Sequence, residues 1–241
     1  MDKSKNFLSI VIPVYNEEKR IGSFLSSVIN YVNKKDFSCE VVIVDDGSRD
    51  ATTSIVKSLL DEKLPDKYKI LKLPVNLGKG AAIRKGMLES NGDYIFFIDA
   101  DGSTSINEID HFIPHFSVDY DIYIATRTVK HKAPFKRKFF GYGYIFLANC
   151  FLQLGVADIT CGFKCYKQAS VQKIFSRQKL NNWSFDAEDI FIARKHGYRI
   201  KEIPVRWKHI GGSKVKVVKN VIVCGLDLFR IRLHNIKGMY S

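Results

Sequence analysis

Asp99-Ala100-Asp101 is the segment of this sequence best equipped for chemistry. It follows the apolar run Tyr94-Ile95-Phe96-Phe97-Ile98 and precedes Gly102-Ser103-Thr104, where a buried strand would open into a loop. Two carboxylates one residue apart can share a hard divalent cation. Mg²⁺ is usually held by one or two carboxylates together with substrate phosphates. The pair therefore points to a phosphate-bearing substrate. Acidic residues at such spacing also cap helices and turns, so the pair alone leaves both readings open.

The elements that must position these carboxylates alternate between two hydrophobic periods. Strands are expected at 8–14, 40–44, 68–73 and 93–98, and helices at 16–31, 50–60 and 79–89, with Ser48 or Asp50 as a cap for the second helix. Apolar strands alternating with helices predict an α/β fold, a mostly parallel sheet covered on both faces. Ligands bind such sheets beyond the carboxyl ends of the strands. Asn16-Glu17, Asp45-Asp46 and Asp99-Asp101 all fall at those ends, so three polar clusters converge on one rim.

The chain has 241 residues, 46% hydrophobic and 26% charged, which fits a packed core rather than disorder. No signal peptide is read at the start. Five cysteines (Cys39, Cys150, Cys161, Cys165, Cys224) form no C-x-x-C pair and read as reduced thiols. Neither Cys161 with Cys165 nor His111 with His115 finds a second pair to complete a zinc site. The net charge of +13 is uneven: residues 194–241 hold twelve Lys/Arg against Glu202 and Asp227. A second basic cluster gathers Arg127, Lys130, Lys132, Lys136, Arg137 and Lys138. Such fields favour polyanions: nucleic acid, anionic lipid or a phosphorylated substrate. A solvated basic face is the plain alternative.

The second half breaks the alternation. Residues 139–157 carry no charge and are rich in aromatics, yet include Gly141, Gly143, Asn149 and Gln153. An interfacial hydrophobic hairpin is expected there rather than a membrane span. Residues 217–237 read as one basic amphipathic helix. Lys219, Asp227, Arg230, His234 and Lys237 would share one face, and Val218, Ile222, Leu226, Phe229, Leu233 and Ile236 another. That apolar face suits a membrane surface, a partner helix or the chain's own domain. The organisation expected is a catalytic domain over 1–215, with a nucleotide-binding half near 7–104 and an acceptor half near 105–215, followed by the helix within 216–241.

Four blocks stand in order: Val11-Ile12-Pro13-Val14-Tyr15-Asn16-Glu17-Glu18, Val44-Asp45-Asp46-Gly47-Ser48, Asn76-Leu77-Gly78-Lys79-Gly80 and Asp99-Ala100-Asp101. Together they resemble family 2 glycosyltransferases of the GT-A fold, over about residues 7–215. Gly86-Met87, Asp99 to Thr104, Thr160-Cys161-Gly162-Phe163-Lys164 and Trp183-Ser184-Phe185-Asp186-Ala187-Glu188 look more like the dolichyl- and polyprenyl-phosphate β-glucosyltransferases than the mannosyl enzymes. Ile203 to Trp207 and Gly211-Gly212-Ser213-Lys214 fit the same pattern. Eukaryotic enzymes of this type carry an N-terminal membrane anchor and many bacterial ones C-terminal membrane helices. Neither is read here, so peripheral attachment to the cytoplasmic face of a membrane is expected, with an anchoring partner protein left open.

The resemblance implies roles. Pro13, Tyr15 and Glu17 would line the nucleoside pocket, and Asp46, helped by Asp45, would meet the uracil N–H. Lys79, Ala100 and, late in the chain, Arg206 or Lys214 would approach the donor and its diphosphate. Asp99 and Asp101, with Ser103, would hold Mg²⁺ or Mn²⁺. Arg127 and Arg137 would bind the lipid phosphate, with Lys136 and Lys138 toward anionic headgroups. Asp186 and Glu188 stand where relatives that glycosylate hydroxyls keep a base, and are expected here to bind sugar hydroxyls or order a loop. The reaction implied is inverting transfer of glucose from UDP-glucose to a polyprenyl phosphate. Mannose from GDP-mannose, or N-acetylglucosamine, are the alternatives. Two other classes are weighed: a Mg²⁺-dependent phosphatase of haloacid-dehalogenase type, whose motif wants Thr or Val where Ser103 stands, and a basic binding module. No nucleic-acid motif supports the latter, so no nucleic-acid partner is expected.

Overall fold

A computed structural model describes residues 7–127, 135–208, 210 and 217–241, with side chains of 135–140 and 217–222 outside the description. Strands β1 (Leu8–Val14), β2 (Cys39–Asp45), β3 (Tyr68–Lys72) and β4 (Tyr94–Ile98) alternate with helices α1 (Ile21–Asn33), α2 (Thr52–Lys63) and α3 (Lys79–Leu88). A short helix α4 (Ile109–Phe112) follows. Then come β5 (Ile122–Arg127), α5 (Phe135–Leu152), β6 (Phe163–Lys167), α6 (Gln168–Phe175), α7 (Phe185–Lys195), β7 (Ile200–Val205) and α8 (Val217–Ile236). The seven strands form one sheet in the order β3-β2-β1-β4-β6-β5-β7. Only β6 runs antiparallel, against β4 and β5.

The sheet is buried on both sides, which explains the unbroken apolar strands. Leu8, Ile10 and Ile12 of β1 face one core with Phe24, Leu25 and Val28 of α1. Val11, with Val42 and Val44 of β2, faces a second core shared by α3, α6 and α7.

Two expectations are corrected in the second half. Residues 135–152 form a single helix, not a hairpin. Gly141 and Gly143, which counted against a membrane span, cost helix stability of about 1 kcal/mol each relative to Ala. Burial of Ile145, Ala148 and Leu152 in the second core offsets that cost. In α8, Asp227 leaves the charged face expected for it and is fully buried alongside Leu228 and Ile231. The apolar stripe Leu226, Phe229, Leu233 and Ile236 is instead exposed.

Candidate active site

The carboxyl ends of β1, β2 and β4 open onto one rim, and the loops that leave them are laced together. The Asn16 amide donates to Ser48 Oγ at 3.0 Å, and the Arg49 amide donates back to Asn16 Oδ1 at 2.8 Å. Thr52 Oγ1 accepts from the Glu17 amide at 2.7 Å. Ser48 is thus spent on cross-loop lacing, while Asp50 accepts from the Thr52 amide at the start of α2. Pro13 is the last residue but one of β1, opposite Val44. Tyr15 stands half-exposed at the rim, and Glu17 grips Arg20 through two hydrogen bonds of 2.7 and 2.8 Å.

The paired aspartates after β2 divide their work. Asp45 is fully buried and holds the turn that follows it, accepting from the Ser48 amide at 2.8 Å and from the Thr53 hydroxyl. Asp46 reaches across to the next loop, accepting from the Leu77 amide at 2.7 Å and the Gly78 amide at 3.0 Å. Burial raises the Asp46 pKa, against the pull of those two amides. Both carboxylates therefore shape the rim through backbone contacts.

The acidic pair after β4 meets a cation of the chain's own. Lys79 opens α3 and places Nζ 2.6 Å from Asp99 Oδ1. The same ammonium lies 5.1 Å from the Trp183 ring centroid and 5.7 Å from that of Phe185. Burial works to lower the Lys79 pKa, but Asp99, Asp186 and Asp101 outweigh it and the net shift is upward. Asp101 accepts from the Ser103 amide at 2.8 Å, a local turn that fixes its carboxylate. Gly162 backs Asp99: a Cβ there would lie 2.1 Å from Asp99 Oδ2. Gly78 precedes Lys79 with φ +105°, and a Cβ there would run into the Asn181 carbonyl at 2.4 Å. Ala100 is buried between the two carboxylates.

Below this layer lies a buried ion pair. Lys164 Nζ bonds to Asp186 and, at 2.8 Å, to the Cys161 carbonyl, and it is fully shielded from solvent. Burial raises the Asp186 pKa, with Lys164 and Lys79 pulling it back down. In the sequence Lys164 stood only as the end of the family-like Thr160–Lys164 block, with no role given to it. Glu188 accepts from the Lys179 and Leu180 amides at 3.0 and 2.7 Å and from the Tyr240 hydroxyl. These contacts tie the loop at residues 179–180 to Tyr240.

On the far side of β4, the strand leaving β7 folds back over the acidic loop. Thr104 bridges Trp207, and the Lys208 amide donates to the Ser103 carbonyl at 2.9 Å. Arg206 is thereby brought beside Ser103–Thr104, its own amide donating to Glu108 at 3.3 Å. Arg127 is engaged: its fork binds Asp158 at 2.7 and 2.8 Å and Thr160 at 2.7 Å. Burial acts to lower the Arg127 pKa, and Asp158 more than offsets it. Nothing in the sequence singled out Asp158. The side chains of Lys136, Arg137 and Lys138, and Lys214 altogether, lie outside the described residues.

The arrangement gathers hard oxygen donors, a lysine and amide-lined loops at the end of a parallel sheet, where a nucleotide's phosphates are commonly received. Known proteins resemble this chain. The family model for glycosyl transferase family 2 matches residues 9–175. Dolichyl-phosphate β-glucosyltransferase ALG5A of Trichomonas vaginalis is 36% identical over 252 residues, covering 100% of this chain and 77% of that protein. The dolichyl-phosphate β-glucosyltransferase of Homo sapiens is 32% identical over 255 residues, covering 99% and 79%. Among solved structures, glucosyl-3-phosphoglycerate synthase of Mycobacterium tuberculosis, in complex with Mn²⁺, UDP-glucose and phosphoglyceric acid, superposes with TM-score 0.70 at 16% identity. It covers 96% of this chain and 80% of its own. That likeness is one of fold, the GT-A architecture. With a family model spanning most of the sequence and relatives a third identical along nearly all of it, this chain belongs to glycosyl transferase family 2.

Proposed function

We propose that this enzyme transfers glucose from UDP-glucose to a dolichyl-type polyprenyl phosphate, with inversion at the anomeric carbon, at the cytoplasmic face of a membrane. The observation that carries this reading is the state of Asp186 and Glu188. By the family resemblance they stand where hydroxyl-glycosylating relatives keep a base, yet Asp186 is buried and bound to Lys164, and Glu188 is buried and bound to the Lys179 and Leu180 amides. A hydroxyl acceptor would want that base. A phosphate monoester has a second pKa of about 6 and arrives as an anion, so it needs none. The near full-length match to dolichyl-phosphate β-glucosyltransferases supports the same acceptor and sugar.

In this reading an oxygen of the acceptor phosphate attacks the anomeric carbon. The bond from that carbon to the nucleoside diphosphate breaks, and its electron pair leaves with UDP. Alignment and charge stabilisation do most of the work. The donor set fits Mg²⁺ or Mn²⁺: two hard carboxylates stand together, and Asp99 already holds a cationic group at 2.6 Å. Asp99 and Asp101 would hold the ion, with Ser103 fixing Asp101. Bound there, it would offset the charge that builds on departing UDP. Lys79 would turn to the donor diphosphate, joined by Arg206. Pro13, Tyr15, Glu17 and Asp46 would line the nucleoside pocket, and Asp45 would hold its turn. Arg137 would meet the acceptor phosphate, and Arg127, its fork taken by Asp158, would brace the pocket wall.

The lipid side is supported by an apolar face. Tyr142, Phe146, Leu147 and Phe151 of α5 are exposed next to the Leu226–Phe229–Leu233–Ile236 stripe of α8. Phe151 and Phe229 join the two helices at 4.6 Å between ring centroids. No helix among the described residues is long and apolar enough to cross a membrane. The basic residues on and around α8 suit an anionic bilayer surface.

The test offers labelled UDP-glucose, GDP-mannose and UDP-N-acetylglucosamine in turn to the detergent-solubilised enzyme, with a polyprenyl phosphate or the free polyprenol, with Mg²⁺ or chelator. Labelled lipid from UDP-glucose, the phosphate acceptor and Mg²⁺ is expected. Equal transfer to the free polyprenol, or undiminished transfer in chelator, would overturn the reading.

A further inference from the structure

The loop between α6 and α7 touches the donor side of the site at three points. Its Asn181 carbonyl accepts from the Gly80 amide at 2.8 Å. Its Leu180 carbonyl lies where a Cβ on Gly80 would approach to 2.6 Å, so the loop and the first turn of α3 meet with no room for a side chain. Its Trp183 ring lies 5.1 Å from Lys79 Nζ. Lys79 in turn reaches Asp99. The geometry of the acidic rim thus depends on where this loop stands.

The loop is held from α8. Asp227 is 0% exposed, and its Oδ2 accepts from Asn182 Nδ2 at 2.6 Å and from Ser184 Oγ at 2.8 Å. Asn182 Oδ1 also accepts from the Ser184 amide at 2.9 Å, closing a small ring of bonds around Trp183. The other oxygen of Asp227 is bound by Arg230 at 2.8 Å. Hydrogen bonds to an ionised carboxylate are stronger than neutral ones, which suits an anchor for an irregular segment. The same turn of α8 carries Leu226 and Phe229, both exposed.

We propose that Asp227 is a positioning residue for the donor site: from α8 it fixes the 181–184 loop, which sets Trp183 against Lys79 and so sets the lysine against Asp99. Its use in binding donor rests on the function proposed above. Asp227 acts through Asn182 and Ser184, and the helix that bears it is remote in sequence from the acidic pair and from Lys79.

The test uses the full chain with Trp207→Phe, which leaves Trp183 as the sole tryptophan of the two present. Asp227→Asn keeps the shape of the side chain and weakens the anchor. It is expected to at least double the acrylamide quenching constant of Trp183. It should raise the dissociation constant for UDP with Mn²⁺, and KM for UDP-glucose, by about tenfold, with KM for polyprenyl phosphate unchanged. Ser184→Ala, which leaves α8 intact, should move the same readouts in the same direction by less. A lowered melting temperature with quenching and UDP affinity unchanged in both variants would overturn the proposal and leave Asp227 as a helix-packing residue. A parent protein that bound no UDP would overturn the donor role, while the quenching of Trp183 would still decide whether Asp227 holds the loop.

Discussion

Lys79 Nζ and Asp99 Oδ1 are 2.6 Å apart, so an ammonium of the chain occupies one oxygen of the carboxylate pair on which the proposed metal site depends. A divalent ion and Lys79 then compete for Asp99. Replacing Lys79 by Met should tighten Mn²⁺ binding to the nucleotide-free enzyme by about fivefold, since an ion pair of this partly exposed kind contributes on the order of 1 kcal/mol. Transfer should nonetheless fall, because the donor diphosphate loses its lysine. Titration followed by the electron paramagnetic resonance of free Mn²⁺ reads the first effect, and steady-state kinetics the second. Unchanged Mn²⁺ affinity would show that the two cations do not share the site.

Asp101→Ala removes a carboxylate whose only described hydrogen bond is the local turn to Ser103. The fold should survive with a melting temperature near that of the parent, and glucosyl transfer should drop by at least about a hundredfold, the scale of losing one preorganised charge-stabilising group. A variant with most of its activity left would remove Asp101 from the metal site.

The buried pair Lys164–Asp186 gives a stability test. Neither group reaches solvent to any useful extent. Lys164→Met leaves Asp186 buried without its partner and should cost about 3–5 kcal/mol in urea unfolding. The double change Lys164→Met with Asp186→Leu should recover most of that loss, because well-packed apolar side chains often replace a buried pair without penalty. A single variant within about 1 kcal/mol of the parent would mean that water reaches the pair.

How far the sequence could be read follows from the range of the interactions involved. Strands β1, β2 and β4 were legible because each is largely apolar on both faces and bounded by polar rim residues such as Asn16 and Asp46. The rim itself was legible because Asp99, Asp101 and Lys79 sit at strand or helix ends that local pattern locates. Lys164 was not, since its partner lies 22 residues away and no local period marks a lysine as internal. Asp227 was assigned to the charged face of α8 for the same reason: Asn182 and Ser184, which join Arg230 in making its burial tolerable, are brought up only by the fold. Helix α5 was misread as a hairpin because its uncharged run is interrupted by Gly141, Gly143 and Asn149, and the packing of Ala148 and Leu152 decided otherwise.

Asp189 on α7 is fully buried, and among the described residues neither of its carboxyl oxygens has a hydrogen-bond partner. Burial, with Glu188 and Asp186 close by, pushes its pKa well above the ordinary 3.8. A carboxyl whose pKa is higher in the folded state favours folding below its unfolded pKa. That contribution is lost as pH rises through the unfolded value toward the folded one. Asp189→Asn, neutral at every pH, should therefore flatten the fall of stability above about pH 4 and leave the melting temperature at pH 8 no lower than the parent's. Parallel stability curves for the two proteins from pH 4 to 8 would show that Asp189 is not the group responsible.

The apolar face of α5 and α8 makes the last prediction quantitative. Phe229 is 62% exposed and Ile236 80%, so each can bury much of its side chain in an interface. Full burial of such a side chain is worth about 1.5–3 kcal/mol. Phe229→Glu removes that gain and sets a negative charge against an anionic surface. Co-sedimentation with vesicles containing phosphatidylglycerol should show at least a tenfold weaker partition for the variant. For the parent, binding should fall as salt rises, because the basic residues act through a screened field, but should not vanish, because the apolar part does not depend on salt. Equal partition of parent and variant would place the membrane contact elsewhere on the protein.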